Sequence, residues 1–64
     1  MVKINGKETK TQGMSLLQYL VQEGYHTERL AVECNEEIVP RSRYAEKILQ
    51  DGDVLEIVSF VGGG

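Results

Sequence analysis

Sixty-four residues contain one cysteine, one proline and one histidine, and each scarcity excludes something. A lone Cys34 cannot close an internal disulfide, so packing has to stabilise the domain. His26, in "GYHTE", has no second histidine with which to share a metal ion, and metal sites need several converging ligands. It reads as a surface-loop histidine. No apolar run is long enough to span a bilayer, and "MVKING" lacks the apolar core of a signal peptide. The expectation is a cytoplasmic protein that contacts no membrane. Basic residues are also few, seven against ten acidic ones, for a net charge of −3. Phosphate binding needs a basic surface, so nucleic acid is disfavoured. A partner with a basic groove is compatible with this charge. The chain is short enough that folding buries only roughly 60% of the surface exposed when unfolded. One domain, residues 1–64, is expected, with no deep pocket to enclose a substrate.

What is present is an ordinary globular composition, 41% hydrophobic and 27% charged, with a readable apolar pattern. Val2 and Ile4 alternate ahead of Asn5-Gly6, the strongest short signal for a two-residue hairpin, because both turn residues need positive φ. The returning arm is Lys7–Thr11. In "GMSLLQYLVQEGY", Ser15 and Gln18 have capping-box spacing, and Leu16, Leu17, Leu20 and Val21 form an apolar face with Tyr19 at its edge. A helix of about ten residues is expected to end at a left-handed Gly24. "RLAVECN" puts Leu30, Val32 and Cys34 on one face of a strand and Ala31 and Glu33 on the other. A short step, Ile38-Val39, follows a Glu36-Glu37 turn and stops at Pro40. Tyr44, Ile48 and Leu49 have helical spacing, enough for one or two turns. Asp51-Gly52-Asp53 is turn chemistry, and "VLEIVSFV" is a long strand of β-branched and aromatic residues. Strands on either side of one good helix imply an α+β mixed sheet of about four to five strands with that helix packed across it. The first and last strands should lie side by side.

Catalytic groups are hard to find in this pattern. Cys34 falls on an apolar strand face with no basic neighbour in sequence to lower its pKa, and reads as a small structural hydrophobe. Asp51 and Asp53 flank a glycine as turn residues do. A phosphate-cradling glycine loop needs a helix directly after it, and none follows "VGGG".

The tail is the remaining candidate. Gly62, Gly63 and Gly64 lack Cβ atoms, so they present almost no cross-section. Fully extended they reach about 10 Å, enough to carry a carboxylate down a narrow channel in another protein. A carboxylate becomes an acyl donor once an ATP-using partner converts it to an acyl-adenylate, open to sulfur or nitrogen nucleophiles. A glycine-rich end can equally be a frayed and inert terminus.

Over nearly its whole length the chain resembles the thiamine-biosynthesis sulfur carriers of the ThiS family, which share the β-grasp fold with ubiquitin. The resemblance lies in the "INGK" hairpin, the capped helix "MSLLQYL", the segment "AVECNEEIVPRSRY" and the phrase "DGDVLEIVSFVGGG". Asn35, Val39, Pro40 and Arg41 match the family's N-x-x-x-V-P-R pattern, whereas "DGD" before an apolar strand and glycine end occurs in other β-grasp carriers. The resemblance implies a carrier, not an enzyme, acting as co-substrate of its partners. It implies that the Gly64 carboxylate is adenylated by an enzyme resembling ubiquitin-activating enzyme, which uses ATP and Mg. It implies conversion to a thiocarboxylate with sulfur from a persulfide donor, and delivery to thiazole synthase. Gly63 is then the second motif glycine, Gly62 an extra one that adds reach, and no cofactor is held by the carrier itself.

Strand parity adds a docking expectation. With Leu55 and Ile57 facing the helix, Glu56, Val58 and Phe60 face outward, and Glu56, Val58, Phe60 and Val61, leading into the tail, are the expected partner-binding residues. The alternative is that the protein's own loops cover them. Three other functions share parts of the pattern: the small subunit of molybdopterin synthase, a ubiquitin-like modifier, and an interaction domain with an inert tail. Molybdopterin carriers tend to be longer and usually lack the "VPR" segment.

Overall fold

Two Asn-led turns and one capped helix set the architecture, which the computed structural model describes for residues 1–60. Strands β1 (Val2–Ile4) and β2 (Lys7–Thr9) are joined through Asn5 and Gly6 at φ +51° and +81°, the left-handed pair the dipeptide predicts. The returning arm ends at Thr9, short of the expected Thr11. Thr11 is instead buried, with its hydroxyl 2.9 Å from that of Thr9.

Helix α1 (Leu16–Gln22) has seven residues, shorter than expected. The Gln18 N–H donates to Ser15 Oγ at 3.0 Å, which is half of the capping box. The return bond from the Gln18 side chain is absent among the described residues. Two other orphan amides of the first turn are satisfied from across the fold: Leu16 N–H donates to the Lys47 carbonyl at 2.7 Å and Leu17 N–H to the Tyr44 carbonyl at 2.9 Å. At the other end Gly24 is left-handed at φ +82°. Tyr25 N–H reaches the Leu20 carbonyl and Gly24 N–H the Val21 carbonyl, a Schellman ending. Replacing Ser15 by alanine should cost about 1 kcal/mol, read as a lower urea midpoint with unchanged slope.

The buried stripe of α1 is Leu16, Tyr19 and Leu20, with Leu17 half-buried. Val21, expected on this face, is 64% exposed. At about 100° per residue Tyr19 lies roughly 60° from Leu16 and Val21 roughly 140° away, so Val21 turns to solvent. Tyr19 belongs to the core, not to its edge.

A single-turn 3-10 helix, Thr27–Arg29, leads into β3 (Leu30–Cys34), whose Leu30, Val32 and Cys34 are buried as the alternation requires. The hairpin to β4 (Glu37–Val39) turns on Asn35 and Glu36, at φ +53° and +70°, one residue earlier than Glu36-Glu37. A glutamate in the left-handed region is uncommon, and for that reason the position is not legible in advance. Arg41–Arg43 forms one 3-10 turn and Lys47 N–H donates to the Arg43 carbonyl, so the one or two helical turns expected are formed at Tyr44 but do not reach Leu49. Both of those side chains are buried, but the backbone between them bends to offer its carbonyls to α1 and to bridge Ile48 to Ser15. Ile48 is consequently exposed.

The last strand, β5 (Val54–Ser59), takes the middle of a five-stranded sheet of order β2-β1-β5-β3-β4. It runs parallel to β1, with Ile4 opposite Leu55, and antiparallel to β3 from Leu30↔Ser59 to Cys34↔Leu55. Helix α1 covers one face, and Val2, Ile4, Leu16, Leu20, Val32, Leu49 and Leu55 fill the space between. This is the β-grasp arrangement. Among the described residues no helix is long and apolar enough to cross a membrane.

Candidate functional site

The strand that carries the tail is also the best-anchored one. Leu55 and Ile57 are buried against the core, so Val54, Glu56 and Val58 point to the open face of the sheet. Val58 is 57% exposed and Phe60 is 57% exposed, so no loop of the described chain covers them. Register supplies their neighbours, which the linear sequence does not show. Ala31 of β3 stands opposite Val58 and is half-buried, and the Phe60 N–H donates to the Arg29 carbonyl at 2.7 Å, carrying the pairing one residue past the strand. An apolar patch of Ala31, Val58 and Phe60 therefore borders the exit of β5.

Glu56 lies directly opposite Glu33 on the same open face. Two carboxylates in cross-strand register repel. The one ion pair among the described residues joins the N-terminal amine to Asp51, so neither glutamate is in an ion pair with a described lysine or arginine. The outward positions expected for Glu56, Val58 and Phe60 are thus those observed. Val61, Gly62, Gly63 and Gly64 lie outside the described residues.

The other chemically capable groups stand apart from this exit. Cys34 is buried; burial, and then the Asp53 carboxylate, push its thiol pKa up, with Lys47 opposing. A protonated buried thiol is a poor nucleophile. It contributes to a surface groove of about 610 Å³ along β4 and the 40–50 segment, with Val39, Pro40, Arg43 and Lys47, which includes none of Glu56, Val58 and Phe60. Among the described residues no group of three metal-ligating side chains forms, and His26 is exposed.

Asp53 is more than a turn residue. Its carboxylate is buried and accepts from Gln50 N–H at 2.9 Å and from Asn35 Nδ2 at 3.1 Å. Burial alone would raise its pKa, but those two donors, Lys47 and the Cys34 thiol outweigh it, and the net shift is downward. A lowered folded-state pKa stabilises the protein fully above the unfolded carboxylate value, about 3.9, and the gain disappears as pH falls from there through the folded value. The stability difference between the protein and Asp53→Asn, measured by urea unfolding, should therefore be constant from about pH 7 to pH 5 and shrink below about pH 4.

Comparison with known proteins locates this geometry. The sequence profile of the ThiS family matches residues 2–64. The sulfur carrier protein ThiS of Bacillus subtilis (strain 168) is 43% identical over 67 residues, covering 100% of both chains. A thiazole synthase of Paramagnetospirillum magneticum is 47% identical over 62 residues, and a thiazole synthase of Magnetococcus marinus is 36% identical over 64. The chain spans only 19% and 20% of the lengths of those two relatives, although 95% and 98% of its own residues are matched. A crystal structure of the thiamine biosynthesis protein ThiS from Geobacter metallireducens superposes with a TM-score of 0.76 at 28% identity, covering 98% of this chain and 97% of that one.

Proposed function

This chain belongs to the ThiS family, and on that premise we propose that it is a sulfur carrier whose Gly64 carboxylate is the reacting group. The observation that carries the reading is the end-to-end correspondence with a protein named sulfur carrier protein ThiS. A partner enzyme joins the carboxylate to the α-phosphate of ATP and releases pyrophosphate, giving an acyl-adenylate. A persulfide sulfur then attacks the acyl carbon and AMP leaves with one of the two former carboxylate oxygens. Sulfur arrives from a persulfide at a higher oxidation level than sulfide, so a thiol supplies the two electrons that release the thiocarboxylate.

Thiazole synthase is the proposed acceptor. Relatives of that name carry a stretch similar to this chain within a longer polypeptide. Placing two domains on one chain raises their effective concentration for each other, a gain of use to partners that must meet. The outward face supports a docked rather than a free tail. Ala31, Val58 and Phe60 supply apolar contact, and the unpaired Glu33–Glu56 carboxylates suit a cationic rim on the adenylating enzyme. Val61 continues this contact and Gly62 and Gly63 thread the channel.

Intact mass measurement tests the reading. Incubated with ATP, Mg, the adenylating enzyme and a persulfide donor, the protein should gain about 16 Da, the difference between sulfur and oxygen at one acyl position. An unchanged mass with an enzyme that charges another ThiS carrier would refute it.

A further inference from the structure

Strand β1 cannot accompany β5 to its end, because at Asn5 the backbone turns left-handed into the hairpin. Up to that point the parallel ladder is regular: Lys3 N–H donates to the Asp53 carbonyl and Asn5 N–H to the Leu55 carbonyl, each at 2.9 Å. The next rung calls for the Asn5 carbonyl to accept from Ile57 N–H, and for the amide two residues on to donate to the Ile57 carbonyl. Neither backbone group is in place, and the Asn5 side chain makes both bonds. Its Oδ1 accepts from Ile57 N–H at 2.7 Å, and its Nδ2 donates to the Ile57 carbonyl at 3.2 Å. The carboxamide has the donor and acceptor of a peptide group and stands in for the missing one.

The same device operates at the opposite end of β5. Asn35, also left-handed, donates its N–H to the Val54 carbonyl at 2.8 Å, and its Oδ1 accepts from Val54 N–H at 2.9 Å. Asparagine does two things at each turn, tolerating positive φ and repairing the ladder that the turn interrupts. The two sites differ in place. Asn35 secures the first residue of β5, whereas Asn5 makes the last tie on the β1 side before Val58, Ser59 and Phe60, which the sheet then holds from β3 alone.

We infer that Asn5 is a positioning residue for tail delivery: its amide clasp on Ile57 holds the outgoing half of β5 in the line from which residues 61–64 are presented to the adenylating enzyme. The inference rests on the carrier reading above and adds a specific residue to it. Loss of the clasp leaves the chemistry at the acyl carbon untouched and lowers the fraction of molecules in the competent orientation. Such a change raises KM and leaves kcat alone.

Asn5→Gly and Asn35→Gly form a comparison pair, since glycine adopts both left-handed backbones without strain and each variant loses its side-chain bond to β5, Asn35→Gly losing its bond to Asp53 as well. Adenylation is followed by ATP–pyrophosphate exchange with the carrier concentration varied, and amide exchange of the free carriers is followed by NMR. For Asn5→Gly the expected result is a KM increase of about fivefold to tenfold at constant kcat, with Ile57 N–H exchanging about tenfold faster. For Asn35→Gly the faster amide should be that of Val54, with KM unchanged. Equal KM increases in both variants would reduce Asn5 to a contributor to stability and overturn the inference. So would an unchanged KM in Asn5→Gly, or unchanged exchange at Ile57. If the unmodified protein itself is not adenylated, the carrier reading fails first, and that result is distinct from the others.

Discussion

Deleting Gly63 and Gly64 should abolish charging, with no species heavier by about 16 Da formed under conditions that convert the intact chain completely. The truncated chain still ends in a carboxylate, so the test separates a carboxylate at the right distance from a carboxylate as such. Removing two residues shortens the reach by about 7 Å, more than the 3 to 3.5 Å over which a near-attack geometry is set. The two buried candidates in the described body, Cys34 and Asp53, are poorly suited to substitute. Cys34 is buried with its thiol pKa pushed up, and the Asp53 carboxylate is already committed to Gln50 and Asn35. A mass gain that survives the deletion would move the chemistry into the body of the protein, with Cys34 the first residue to examine. The same variant disposes of the inert-tail alternative, for which truncation changes nothing. Stability should be unaffected by the deletion, since the core residues lie between Val2 and Ile57.

Replacing Phe60 by aspartate should weaken binding to the adenylating enzyme by about 2 kcal/mol or more, about thirtyfold in Kd, without unfolding the domain. Phe60 is the largest apolar side chain on the exit face, more than half exposed and adjacent in register to Val58 and Ala31. Buried aromatic anchors dominate interfaces because they bury much area with few rotatable bonds, and a carboxylate in their place has to be desolvated. The aspartate would also add to the charge of Glu33 and Glu56 nearby. Calorimetric titration reads the affinity, and a urea transition confirms that the fold is retained. Retained affinity would exclude Phe60 from the interface, and a lost transition would make it part of the core in spite of its exposure.

The sequence specified a good deal of this molecule through local chemistry. Asn5-Gly6, Ser15 and Gly24 set a turn, a helix start and a helix end, and alternation placed Leu30, Val32, Cys34, Leu55 and Ile57 inward. These features depend on residues within a few positions of each other, so a linear reading suffices. The resemblance to the ThiS family, spread over "INGK", "VPR" and "DGDVLEIVSFVGGG", named the fold and the candidate tail.

Four features were decided by contacts that only folding creates. Packing of Leu16, Tyr19 and Leu20 onto the sheet decided which face of α1 is buried and left Val21 outward, while carbonyls of Tyr44 and Lys47 satisfy the amides of its first turn. The 40–50 segment, helical by spacing, ends its turns short of Ile48 and Leu49 and supplies those carbonyls. Cross-strand register put Glu33 against Glu56 and Ala31 against Val58, pairs 23 and 27 positions apart in sequence. Asn5 was legible as a turn residue but not as a ladder repair, and Asn35 as neither, since the bonds to Ile57 and Val54 exist only once β5 is inserted between β1 and β3. Backbone preference and alternation are properties of neighbours along the chain and survive in the sequence. Hydrogen-bond partners across a sheet are properties of the closed fold, where satisfying every buried polar group overrides local preference.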